Sequence, residues 1–236
     1  MLVPSARWKA AWPGASLGVL AMSSVNNSER SAELERRRVA LEAELRTTFG
    51  TLSRSQLKSL PQLEPYIAYY KQFGKTYHLQ HQLESVVFKG KSIPGVAPIV
   101  EAMFMAELKN LLLTAGHDRD SIRGGIAADA ATGTETFRTL TGEEKTLKEG
   151  DMFIHDDVGV LSSIIYGPDD RTPITPSTKR ILFTVYAPVG IPEESLRAHL
   201  EDLKSFVLAV SPEANVDRAE VLFAPRSDLF EIGLAL

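Results

Sequence analysis

Three short stretches hold most of the side chains able to do chemistry. The first is His117-Asp118-Arg119-Asp120, followed by Ile122-Arg123-Gly124-Gly125. A histidine beside carboxylates can shuttle a proton or hold an ammonium group. The two glycines before the next apolar run predict a tight corner or a close backbone approach. The same residues also suit capping and turn chemistry. The second stretch, Tyr166 to Arg180, carries Asp169, Asp170, Arg171 and four hydroxyls (Thr172, Thr175, Ser177, Thr178), stiffened by prolines. A long polar loop bounded by strands is a usual place for a ligand site, and equally a place for Asx and hydroxyl turns. The third is the pair His78 and His81, an H-x-x-H spacing that can hold a metal when a helix carries it and further ligands complete the set. The segment reads as a strand entry with no completing glutamate, so no metal site is expected. His155-Asp156-Asp157 reads as an Asp-rich hairpin turn.

These residues need elements to position them. Met1 to about Asn27 carries Arg7 and Lys9 before a stretch broken by Pro13 and Gly14, a poor imitation of a signal peptide. A disordered extension is expected over residues 1–27, with Met22 as an alternative start. Residues 28–63 read as a helical extension and linker. Asn26, Asn27 and Ser28 suit a cap, Glu29 and Glu33 a first turn, and Leu34, Leu41 and Leu45 a buried stripe. Pro65 opens an aromatic-rich helix with Tyr66, Tyr69 and Tyr70. Thr76–Phe88 reads as a strand ending at Val86-Val87-Phe88, and Pro98–Thr114 as a mostly buried helix ending at Ala115-Gly116. Strands follow near 125–130, 135–140, 152–155, 158–166 and 180–187. An amphipathic helix begins at Pro192, and Val221–Phe223 reads as a last strand. The order predicts an α+β fold, a mostly antiparallel sheet core flanked by helices. The main domain is expected over 64–225, with a tail over 226–236.

Composition removes several function classes. With no cysteine in 236 residues, a thiolate nucleophile, an iron–sulfur cluster and a cysteine zinc site are excluded, so hydrolysis here needs activated water. No Walker loop, dinucleotide fingerprint, G-x-S-x-G elbow or kinase motif occurs. No run approaches the ~18 apolar residues of a membrane span. The net charge of -4 divides into +5 over residues 1–125 and -9 over the remainder. That total argues against nonspecific coating of nucleic acid, yet leaves room for a basic face in the front half.

Five pieces in order carry a family resemblance: VEAMFMAELKNLLLTAGHD, DRDSIRGGI, AATGTETF, EGDMFIHDDVGVL and DRTPITPSTKRILFTV. Over about Pro98 to Pro188 the chain resembles the tRNA-editing "B-three/B-four" module of the phenylalanyl-tRNA synthetase beta subunit, and more closely its free-standing relatives. The resemblance implies binding of the acceptor end of an aminoacyl-tRNA and hydrolysis of a wrong ester in trans, without a covalent intermediate. A site that hydrogen-bonds a ligand hydroxyl rejects analogues lacking it. A non-catalytic module binding an amino acid or small metabolite is the second reading. An interaction protein using its helical front half ranks below both.

Carried over by position, the resemblance puts Asp170 where the synthetase module has its recognition glutamate. Ala115 falls at the editing histidine, with His117 two residues later. Phe104 stands where the free-standing relatives have asparagine. The glycine-rich run becomes Ser163–Pro168 with the single glycine Gly167. The expected catalytic set is His117, Asp170 and Thr172, with Asp118, Asp156, Arg171 and Thr175 binding substrate. Lys71, Lys75, Lys89, Lys91 and Lys109 are expected on RNA phosphates. No metal, no cofactor and no membrane association are expected, and the implied location is cytoplasmic.

Overall fold

The computed structural model describes residues 1–27, 31–95 and 97–225. In chain order, strand β1 (Leu2–Pro4), helix α1 (Ala6–Ala11) and strand β2 (Ser16–Ser23) come first. Five helices follow: α2 (Ala32–Phe49), α3 (Arg54–Lys58), α4 (Leu63–Gln72), α5 (His78–Lys89) and α6 (Pro98–Asn110). The strand-rich part holds β3 (Leu113–Asp118), β4 (Ile126–Ala130), β5 (Thr136–Arg138), β6 (Glu144–Thr146), β7 (Met152–His155), β8 (Val160–Ser163), β9 (Gly167–Pro168) and β10 (Ile181–Ala187). Helix α7 (Glu193–Val210) and strand β11 (Asn215–Phe223) close the described chain.

The fold is α+β, as expected. One sheet has the order β11-β2-β10-β3 and is antiparallel throughout; a second has the order β1-β4-β7-β8-β9. Only β1 against β4 is parallel in the second sheet, and β5 and β6 pair as a separate two-stranded ribbon. α7 lies along α6 and β2 on one face of the first sheet. Gly18 in β2 admits that helix closely: a Cβ there would stand 3.2 Å from both Leu196 and Leu200.

The expected disordered segment over 1–27 is corrected. β2 is hydrogen-bonded on one side to β10 and on the other to β11, and Leu17, Val19, Leu20 and Met22 are buried. A strand covered on both faces reads as an unbroken apolar run, which is why it imitates a leader sequence. Pro13 and Gly14 form the turn that feeds it, with Gly14 at φ 89°. Trp8 on α1 is fully buried and Trp12 donates its indole N–H to Gly150 O at 2.8 Å.

Two further boundaries differ. Residues 78–89 are helical, because Leu79, Leu83, Val86 and Val87 form one buried stripe at helical spacing and Gly90 closes the turn at φ 64°. The helix from Pro98 stops at Asn110 rather than near Thr114. Leu111 takes a left-handed conformation (φ 60°, ψ 29°), and its N–H caps Glu107 O at 2.7 Å. Such a conformation costs a non-glycine residue about 1–2 kcal/mol. It turns the Leu112-Leu113 run directly into β3. The predicted linker contains α3, capped by a reciprocal Ser53–Gln56 pair. Helix α2 is capped by Ser31, whose hydroxyl accepts Leu34 N–H at 3.1 Å. The expected cap and first-turn residues Ser28 and Glu29, and the tail over 226–236, lie outside the described residues.

Candidate functional site

An apolar cleft of about 490 Å³ opens where α6, β3 and the β8–β9 hairpin meet. α6 supplies Val100, Met103, Phe104 and Glu107, the i, i+3, i+4, i+7 face of one helix. β3 supplies Leu113 through Gly116, and Ser163 through Pro168 form the opposite wall with Tyr186 behind them. Pro173, Ile174, Leu140 and His78 complete the lining. Gly116 is needed at the floor: a Cβ there would lie 2.8 Å from Ile174 Cδ1 and 3.1 Å from Met103 Sδ.

The tyrosines of α4 brace these walls from inside the core. Tyr66 donates its hydroxyl to Tyr186 O and accepts Leu113 N–H at 3.1 Å, while Tyr70 donates to Ile164 O at 2.7 Å. Tyr66 stacks on Tyr77 at 4.6 Å, and all four tyrosines in this region are buried. They position the cleft and are closed to stacking with nucleobases.

Glu107 is the acidic side chain of the cleft. It is 2% exposed, and its Oε1 accepts Thr114 N–H at 2.7 Å, tying the end of α6 to the start of β3. Burial pushes its carboxyl up to about 8 against that hydrogen bond. Thr114 Oγ1 lies 2.8 Å from His199 Nε2, and burial holds this imidazole down to about 4. A second carboxyl, Asp151, accepts the Tyr69 hydroxyl at 2.7 Å and is pushed up to about 7, chiefly by burial.

Behind the cleft wall runs a sealed polar chain. His117 is fully buried, with Nδ1 2.8 Å from Thr172 Oγ1 and Nε2 3.1 Å from Ser162 Oγ. Thr172 donates its hydroxyl to Asp169 Oδ1. The network therefore assigns the proton of His117 to Nδ1, leaving Nε2 to accept from Ser162. Ser162 Oγ in turn lies 2.8 Å from the Tyr186 hydroxyl. Arg171 closes the far end, with Nε 3.1 Å from Asp169 Oδ2 and Nη2 3.1 Å from Asp156 Oδ1. Burial, reinforced by the positive charge of Arg171, holds His117 down to about 3, so its ring is neutral at ordinary pH.

The expected site residues are thus divided. His117 and Thr172 meet, and Asp156 and Arg171 join the same chain, but none of the four lines the cleft. Asp170, the expected recognition acid, is separate: it faces outward, 3.8 Å from Arg138 Nε. The carboxylate that meets Thr172 is its neighbour Asp169. Asp156 also holds the turn before β8, accepting Val158 and Gly159 N–H at 2.9 and 3.0 Å. Asp118 accepts the Thr178 hydroxyl at 2.7 Å, and Thr175 N–H donates to Thr178 Oγ1 at 3.0 Å. Asp118 thus pins the 166–180 loop against β3, while Thr175 closes a turn within that loop. The expected glycine corner is present, since Gly124 has φ 75° and its Cα faces the Asp157 carboxylate so closely that no Cβ would fit.

The five expected phosphate contacts, Lys71, Lys75, Lys89, Lys91 and Lys109, are all exposed. Lys75 Nζ stands 6.0 Å from the ring centroid of Tyr166, a residue of the cleft. Lys109 is instead paired with Asp202 at 2.6 Å. His78 and His81 fall on the first turn of α5. No cluster of three or more potential metal-ligating side chains occurs among the described residues. Nor is any described helix long and apolar enough to cross a membrane. Glu107, Thr114 and Tyr186 are polar cleft residues that sequence reasoning missed. The available signal was an acid spaced four residues from Met103 on the apolar face of a helix.

Two antiparallel-rich sheets, their flanking helices and the cleft between them define an α+β module with an apolar recess. Residues 66–208, more than half of the chain, match the family model described as the B3/4 domain, and the chain belongs to that family. Every cleft residue falls inside the matched span. Over 69 residues, 29% of its length, the chain is 33% identical to the phenylalanine–tRNA ligase beta subunit of Mycoplasma genitalium, and it covers 9% of that protein. Among solved structures it is similar to an N-terminal fragment of the phenylalanyl-tRNA synthetase beta subunit from Pyrococcus horikoshii. That match has 14% identity and a TM-score of 0.48, over 94% of this chain and 53% of the other.

Proposed function

We propose that this chain is a tRNA-binding module that receives the aminoacyl end of a charged tRNA in the α6–β3–β8 cleft and hydrolyses its ester in trans. The observation that carries this reading is the cleft itself. It lies wholly within the B3/4 span, and it is lined by Ala115, where the resemblance puts the editing histidine, and by Ser163–Pro168, the run that stands in place of the pocket's glycines. Its apolar walls suit an amino-acid side chain. Lys75 beside Tyr166 stands near the rim, where an RNA backbone would run, and Lys71, Lys89 and Lys91 are further exposed cations at the ends of α4 and α5. The reaction needs attack by water on the ester carbonyl. In the cleft, the neutral imidazole of His78 is the group able to take a proton, because His117 is walled off and burial keeps Glu107 protonated.

A second reading, a module that binds a free amino acid without turnover, is favoured by one observation. Ala115 stands where the resemblance expects the editing histidine, and the nearby imidazole of His117 is already bonded at both nitrogens. Filter binding at low salt with a panel of mischarged tRNAs, followed over time for deacylation, separates the two. Binding with loss of the aminoacyl group supports the first reading. No tRNA binding, together with thermal stabilisation by a free amino acid, supports the second.

A further inference from the structure

The acid of the cleft has no counter-charge. Neither a lysine nor an arginine is among the cleft residues, and Glu107 forms no ion pair among the described residues. The groups facing it from neighbouring elements are Tyr66 and Tyr70 on α4, Tyr77 at the head of α5, His78 at the cleft and, through Thr114, His199 on α7. Burial raises the three phenols and lowers both imidazoles, so all five are neutral near pH 7. Oε1 is engaged by the Thr114 amide, while Oε2 accepts no hydrogen bond among the described residues. A buried carboxylate without a cation is costly and drives protonation instead.

We propose that Glu107 is the anchor for an ammonium group of the ligand, which supplies the cation the cleft lacks. This deepens the reading of the cleft as the ligand site and names the ligand class: a primary amine on an apolar body, such as an amino-acid or aminoacyl group. When the amine enters, Glu107 gives up its proton to solvent and its free oxygen accepts the N⁺–H. The empty cleft holds a neutral carboxyl, and the occupied cleft an ion pair. Binding is therefore linked to proton release and strengthens as pH rises from 6 towards 8.

The test uses the full chain and two small probes of like shape, 2-phenylethylamine and 2-phenylethanol, in thermal-shift and calorimetric titrations. The amine is expected to bind at least about tenfold more tightly than the alcohol, the worth of a charge-assisted hydrogen bond. It should release close to one proton at pH 7, seen as a buffer-dependent heat. Glu107→Gln is expected to erase the preference for the amine. Equal binding of the two probes, absence of binding by the amine, or binding without proton release overturns the proposal. If Glu107→Gln fails to fold, the comparison of probes and the proton count on the unaltered protein still decide. No tRNA enters this experiment, so a failure of tRNA binding and a failure of amine recognition are read separately.

Discussion

His117 and Thr172, 55 residues apart in sequence, meet through a 2.8 Å contact between Nδ1 and Oγ1 that is closed to solvent. The contact fastens β3 to the 166–180 loop, and through Ser162 it reaches the strand that forms the cleft wall. Its first consequence is structural. Replacing His117 by alanine leaves two buried hydroxyls without their partner and opens a cavity, so a loss of about 2–4 kcal/mol is expected in urea denaturation. Ligand affinity of the molecules that remain folded should change little. An intact stability curve with abolished turnover would instead make His117 catalytic.

The raised carboxyls predict an alkaline limb in the pH dependence of stability. Glu107 and Asp151 have folded values raised to about 8 and about 7 from 4.5 and 3.8. The folded state then holds more protons than the unfolded state between those limits, so stability falls as pH rises through them. His117 and His199 work the other way. Lowered to about 3 and about 4 from 6.5, they make stability fall as pH drops below 6.5. Between about pH 4.5 and 6.5 the two trends offset. Above pH 6.5 the carboxyls act alone, and stability should decline towards pH 8. Glu107→Gln should flatten that decline, measured as melting temperature against pH.

Removal of residues 1–21 should abolish cooperative folding. The deletion takes away β1, Trp8 and most of β2, the strand that stands between β10 and β11. The checks are the near-ultraviolet circular dichroism and the melting transition of the shortened chain. A retained sharp transition would place the start of the folding unit at Met22.

These cases also explain what the sequence made legible. The α+β order, most strands of the second half and the helices at Pro65 and Pro192 follow from proline, glycine and apolar period. β2 was hidden because a doubly covered strand has no alternation. α5 was hidden because Val86-Val87-Phe88 has strand-like side chains, although its full stripe from Leu79 has helical spacing. The stop of α6 was hidden within a run of three leucines, where a left-handed Leu111 has no sequence signature. The site was legible only in part. Local spacing reveals which polar residues cluster, but not which side of a strand faces the cleft. His117 and Gly116 are adjacent, and only Gly116 lines the cleft. Asp169 and Asp170 are likewise adjacent, and only Asp169 meets Thr172.

The basic face should govern RNA affinity. Reversing the charge at Lys71, Lys75, Lys89 and Lys91 together should weaken tRNA binding and flatten its dependence on salt, since each lost phosphate contact removes about one unit from the slope of log K against log salt. Reversal of Lys109, already paired with Asp202, should change that slope least. A combined variant that keeps the original slope would move the RNA to another face.

The most direct test of the account is the affinity of the full chain for one tRNA in its aminoacylated and uncharged forms, measured side by side with a non-hydrolysable amide linkage in place of the ester. The cleft as receptor for the aminoacyl group predicts clearly tighter binding of the charged form, with the difference reduced when Gly116→Ala intrudes on the Ile174 side of the cleft. Equal affinity for the two forms would contradict it.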